Sequence, residues 1–188
     1  MKTKYLLAAA TAALLTISSV QAVQITGTIR MAGSVTLNTT DLSTADNTTA
    51  FGVVFVTTGD GSYTGTAGNL VTWKNFGWNP STAPVNDLWK FTYLGNAYTF
   101  DLANITSVSQ SVTDLVVKGK GTVEISGGFY DPTFADWSFS ITDTSGGTSG
   151  SFVFGFSDSN TAIPDGGTTV MLLGAALSTL GLIRRKIA

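Results

Sequence analysis

Trp89-Lys90-Phe91-Thr92-Tyr93 and Tyr98-Thr99-Phe100-Asp101-Leu102 decide the fold class. In each, large aromatic or aliphatic residues occupy alternate positions, and Lys, Thr or Asp fill the positions between. Period two places every large side chain on one face of a strand, whereas a helix would scatter them around its axis. The same rhythm recurs on both sides. Ile25, Gly27 and Ile29 alternate within Gln24 to Arg30, Val123 pairs with Ile125, Trp137 and Phe139 lead to Ile141, and Phe152 and Phe154 lead to Phe156. Phe51 to Val56 is continuously apolar and reads as a strand buried on both faces. Clusters such as Thr58-Gly59-Asp60-Gly61 and Thr144-Ser145-Gly146-Gly147 are turn material.

About ten short strands with frequent turns predict an all-β fold, an antiparallel β-sandwich of jelly-roll type. A β-helix is the competing architecture, but no fixed repeat period supports it. Two stretches break the strand rhythm and read as long loops: the polar, Thr-rich Asn38 to Ala50, and Gly77 to Asp87 with Pro80 and Pro84. Ser157 to Ala162 reads as a short polar linker.

The two ends of the chain have a different composition. Lys2 and Lys4 precede an apolar stretch from Tyr5 to Ile17, and Val20-Gln21-Ala22 supplies the small residues that a signal peptidase reads. Residues 1–22 are therefore expected to be a secretory signal peptide, cut between Ala22 and Val23 after delivery to the secretion machinery. An uncleaved N-terminal anchor is the alternative. At the other end, Ile163-Pro164-Asp165-Gly166-Gly167 precedes an uncharged apolar run from Thr168 to Ile183, and Arg184-Arg185-Lys186 follows. Sixteen helical residues would rise about 24 Å, a little short of a ~30 Å hydrocarbon core. Tilt, flanking residues and snorkelling cations make up such differences, so a single transmembrane helix is expected. The basic cluster predicts a cytoplasmic C-terminus. Pro and paired Gly continue a helix poorly, so the preceding pentad should be an extended, protease-accessible joint.

Between these ends lies a passenger of residues 23–162, long enough for one domain with its own core. It carries five cations (Arg30, Lys74, Lys90, Lys118 and Lys120) against eleven anions, a net charge of −6. With no basic stripe to neutralise phosphates, nucleic acid is not an expected partner. The absence of Cys leaves no disulfides to staple an exported domain. The absence of His removes the commonest general base and most zinc sites, and no cofactor is implied.

Arranged in that order at the C-terminus, the pentad, the apolar run and the basic cluster resemble the PEP-CTERM sorting signals of Gram-negative bacteria. Among these they look most like the Val-Pro-Asp-Ser-Gly type, the VPDSG-CTERM signals. Ile163 stands for Val and Gly166 for Ser, while Pro164, Asp165 and Gly167 match. The resemblance covers residues 163–188 and implies recognition by an exosortase, a membrane-embedded, cysteine transpeptidase-like enzyme. It also implies association with exopolysaccharide and biofilm matrix. The run Gly119 to Ser157 is similar to the β-rich passengers attached to such signals. The expected protein is exported, non-enzymatic, and structural or adhesive, first anchored in the membrane and then delivered to the cell surface or extracellular matrix. A plainly membrane-anchored surface protein is the alternative.

Within the passenger, Trp73 and Trp78 lie beside the Pro-containing loop. Exposed, they would stack on sugar rings and make a carbohydrate-binding module; buried, they join the core with Trp89, Phe91 and Tyr93. Asp60, Asp131, Asp136 and Asp143 offer oxygens to Ca²⁺, but without a D-x-D-x-D-G loop their ordinary reading is turn formation. Glu124 could be one carboxylate of a glycosidase pair, although its Val-Glu-Ile setting reads as the solvent side of a strand. The Asn-x-Thr sequons at Asn38, Asn47 and Asn104 read as turn and strand-edge asparagines next to a Thr-rich surface that could accept O-linked sugar.

Overall fold

The computed structural model describes residues 23–127, 129–143 and 152–160. Within them run ten strands: β1 (Val23–Gln24), β2 (Gly27–Leu37), β3 (Thr48–Gly59), β4 (Thr72–Trp73), β5 (Val85–Tyr93), β6 (Asn96–Gln110), β7 (Asp114–Ile125), β8 (Tyr130–Asp131), β9 (Thr133–Thr142) and β10 (Phe152–Asn160). One turn of 3-10 helix, Gly61–Tyr63, follows β3.

Eight strands form one antiparallel sheet in the order β3-β2-β10-β9-β7-β6-β5-β4, and β1 pairs with β8 in parallel as a small separate ribbon. The expected sandwich is therefore corrected. There are not two packed sheets but one sheet curled until its edges almost meet. The segment around β4 makes the join. On one side Trp73 pairs with Trp89 of β5. On the other, the N–H of Val71 donates to the carbonyl of Val54 at 2.9 Å, and that of Val56 donates to Asn69 at 3.0 Å. Further along, Thr48 donates to the carbonyl of Phe76 at 2.9 Å. Near-closure covers edges that would otherwise present unpaired backbone groups.

Curvature has local causes. Register shifts interrupt the β6–β7 ladder between Leu102 and Asn104 and between Ile105 and Ser107. Such irregularities bend and twist a strand pair. Opposite them, β7 alternates buried and solvent-facing residues along its length, with Gly119 and Gly121 on the inner side. A Cβ at Gly121 would run into the ring of Phe100 and the carbonyl of Asp101, and one at Gly119 would meet the Trp137 indole at 2.7 Å. The two glycines thus make room for the largest rings of the core.

That core fills the barrel. Trp89 stacks on Phe100 at 5.6 Å between centroids, and Phe91 stacks on Tyr98 at 4.8 Å. Phe76 meets Phe139 edge-on at 5.3 Å. Trp89 and Phe91 are buried as the core reading requires, and Tyr93 is half-buried. Two expectations need correction. β3 is not buried on both faces, because Val54 and Val56 point inward while Val53 is 68 % and Phe55 42 % exposed on the outer face. Ser157 to Asn160 is not linker but the end of β10.

The polar loop expected at Asn38 to Ala50 ends earlier, at Asn47, and it covers one end of the barrel. Leu42 and Ala45 are fully buried there, and the Gln110 side-chain amide donates to their carbonyls at 2.9 and 2.7 Å. The Asn38 side-chain carbonyl closes the loop by accepting from the N–H groups of Asp46 and Asn47.

Candidate functional site

Residues 1–22 and 161–188 lie outside the described residues. They include Ala22, the joint Ile163-Pro164-Asp165-Gly166-Gly167, and Arg184, Arg185 and Lys186. Among the described residues no helix is long and apolar enough to cross a membrane, and the expected C-terminal helix falls outside them. Val23 opens β1. What the structure does show is how the domain hands the chain on to its C-terminal segment.

That hand-over is made by β10, an interior strand of the sheet. Asn160 pairs with Gly27 on one side and Ala135 on the other, and Asp158 lies between Ile29 and Trp137. Two residues apart, both side chains turn into the barrel and are buried. The Tyr63 hydroxyl donates to the Asn160 side-chain carbonyl, and the Asn160 amide reaches the carbonyl of Phe134 at 3.4 Å. A buried tyrosine on the 3-10 turn therefore fastens the final described residue before the sorting joint. Burial raises the Tyr63 hydroxyl pKa, and the neighbouring Asp158 adds to the rise, so the group stays a neutral donor. Burial also lifts the Asp158 carboxyl well above the ordinary range, with a further contribution from the charge of Asp136.

The aromatic candidates are placed elsewhere, beside the barrel seam. Trp78 is only 5 % exposed. Its ring packs 5.7 Å from Phe76, and its indole N–H donates to the carbonyl of Ala45 at 2.8 Å. No ring face of Trp78 is offered to a sugar, which corrects the stacking reading for that residue. Trp73 is half-buried and stacks on Phe51 at 5.1 Å, so that ring face is already covered. Next to Trp78 opens a cleft of about 320 Å³ whose walls include Asp46, Asn47, Asn75, Asn79 and Thr82. Phe76, Pro80 and Val85 also line it, so amide, carboxylate and hydroxyl groups alternate there with apolar surface.

The acidic candidates are dispersed. The Asp60 carboxylate accepts the Thr28 N–H at 2.6 Å, and Asp136 pairs with Lys120 at 2.7 Å on the surface. Asp131 lies exposed in β8 at the exit end of β10, while Asp143 is buried at the opposite end with its N–H bonded to Thr113. Among the described residues no group of three or more such side chains gathers where a metal ion could be held. Glu124 faces outward opposite Thr99, in an open groove of about 350 Å³ that it shares with Asp87. Asp87 is already engaged by Lys74 at 3.9 Å and Lys90 at 3.8 Å. Asn38 and Asn47 serve the end loop, and Asn104 is exposed at a β6 irregularity.

The sequence reading passed over Tyr63, Asp158 and Asn160. Asp158 and Asn160 continue the alternation of Phe152, Phe154 and Phe156 in step, and that period was the available signal.

Comparison with known proteins identifies one part of the chain. The VPDSG-CTERM motif matches residues 162–187, so the chain carries an exosortase-type sorting signal at its C-terminus. No curated protein and no solved structure matches the chain.

Proposed function

With a VPDSG-CTERM signal at residues 162–187 as the premise, we propose that the protein is an exported structural or adhesive component, not an enzyme. It is held in the membrane by its C-terminal segment, cut by an exosortase at the Pro164 to Gly167 joint, and delivered to the cell surface or to an exopolysaccharide-containing matrix. The signal itself implies export, surface location and exosortase processing. The observation that carries the rest is the spacing: the motif begins two residues after β10 ends at Asn160. Almost nothing separates the rigid barrel from the sorting joint, so what is sorted is the barrel itself. Its features suit a passive surface component. It is acidic, it is built around an aromatic core, and its outward Glu124 belongs to an ordinary strand face.

The test is the intact mass of the protein recovered from the envelope and medium of its native host. The expected mass lacks Met1 to Ala22 and the residues beyond the joint. A mass that still includes Thr168 to Ala188 would make it a plainly anchored surface protein and end the exosortase reading.

A further inference from the structure

Four of the large apolar side chains left in solvent share one end of the barrel. Val23 is 60 % exposed, Leu94 82 %, Phe129 76 % and Phe134 75 %. The register brings them together. Leu94 sits in the turn closed by Tyr93 and Asn96, Tyr98 pairs with Ile125, and Val123 pairs with Thr133 beside Phe134. Ala135 then pairs with Asn160, the last residue of β10. The N–H of Val23 donates to the carbonyl of Phe129 at 2.8 Å, and Val23 pairs with Tyr130. Tyr93 and Tyr130, both half-buried, stand among them.

The chain leaves the barrel at this same end. From Asn160 to Thr168, where the apolar run begins, there are eight Cα steps, about 28 Å at full extension. A domain of this length has a radius of gyration of about 14 Å and measures roughly 37 Å across. With the apolar run in a bilayer, the tether is shorter than the domain. The domain cannot then stand inverted, with its exit end turned away from the lipid, and that end stays within about 28 Å of the apolar run. Phe, Leu and Val side chains pointing into an interface, with Tyr beside them, suit the boundary between headgroups and acyl chains. Asp131 and Glu124 nearby rule out attraction to anionic headgroups as the basis of the contact.

We infer that the rim bearing Val23, Leu94, Phe129 and Phe134 is a membrane-docking surface that rests in the lipid headgroup layer while the C-terminal segment holds the chain. This rests on the reading of that segment as the membrane anchor. Docking fixes the barrel's orientation, so the joint after Asn160 is held at the height of the membrane surface.

The natural absence of Cys allows a direct test. Phe129→Cys, Phe134→Cys and, at the opposite end, Val112→Cys are each introduced singly into the full-length chain, nitroxide-labelled and reconstituted in phosphatidylcholine vesicles. Accessibility to lipid-soluble oxygen is compared with accessibility to a water-soluble nickel chelate. The expected oxygen-to-nickel ratio at 129 and 134 is at least about threefold that at 112. Equal ratios at all three sites, in chains that float with the vesicles, overturn the docking surface and leave the anchor standing. Failure to float overturns both. Strong label–label coupling at 129 that persists on dilution with lipid would assign the rim to a second copy of the chain and also overturn the inference.

Discussion

A carboxyl group with no exposed surface must be paired or give up its charge, because an isolated buried anion is too costly to keep. Asp158 takes the second course. Unfolded, it titrates near about 3.9. Folded, burial first and the Asp136 charge second hold it well above that value. Between the two values the folded chain binds a proton that the unfolded chain has released. Stability therefore falls as pH rises across that interval and levels off above the folded value. Asp158→Asn keeps the shape and removes the charge. It should abolish that slope and raise stability at neutral pH by on the order of 1–3 kcal/mol. Urea midpoints of the full-length chain in detergent, taken from about pH 4 to about pH 8, measure both effects. A variant that keeps the parent's slope would show that another group is responsible.

Within single strands, glycine placement decides whether the sheet can curl. Gly121→Ala puts a methyl group against the Phe100 ring and the Asp101 carbonyl, part of it immovable backbone. Overpacking of this kind costs about 1–3 kcal/mol. Lys120→Ala, one residue away and facing out, loses only an exposed ion pair with Asp136 and should cost under about 1 kcal/mol. Thermal unfolding of the two variants separates inner from outer positions; equal losses would contradict the glycine account. The inner face of β5, β6 and β9 was legible in the sequence for the same reason. Trp89, Phe91, Tyr98, Phe100, Trp137 and Phe139 alternate, and all are buried. Alternation states which face is covered, but not whether a second sheet covers it or the same sheet does so by closing on itself. The barrel was therefore not legible. The seam at β4 was hidden too, since its two paired residues, Thr72 and Trp73, carry no period at all. Trp78 was ambiguous because a tryptophan beside a Pro-containing loop can point either way, and only the Ala45 carbonyl settles it. The VPDSG-CTERM motif, by contrast, was legible, because Pro164, Asp165 and Gly167, the apolar run and the basic cluster follow one another in the sequence itself and need no fold to be seen.

At the scale of the whole molecule, the barrel and the signal share a boundary too short to ignore. Asn160 is clamped by Tyr63 and paired on both sides, so the chain available for cutting begins at Thr161. Only residues 161–163 separate that clamp from Pro164. Four Cα steps extend to about 14 Å, little more than the reach an enzyme cleft needs to seat several residues. Drawing more chain from β10 would strip a central strand from the sheet. Deleting Thr161 and Ala162 should therefore lower the ratio of processed to precursor protein severalfold in the native host, read by intact mass. Inserting a six-residue Gly/Ser stretch between them should leave the ratio at or above that of the parent, because flexible residues supply reach without disturbing either side. The deletion also removes the first residue of the motif, so reach must be separated from recognition. Gly121→Ala does this. Gly121 pairs with Ala135, which pairs with Asn160, so the substitution loosens the barrel beside the clamp without touching the motif; it should restore part of the processing lost in the deletion variant if the fold withholds the chain, and none if the enzyme reads Ala162 directly. A deletion variant processed as fast as the parent would mean that the joint is cut before β10 has joined the sheet, and the barrel would then have no say in its own release.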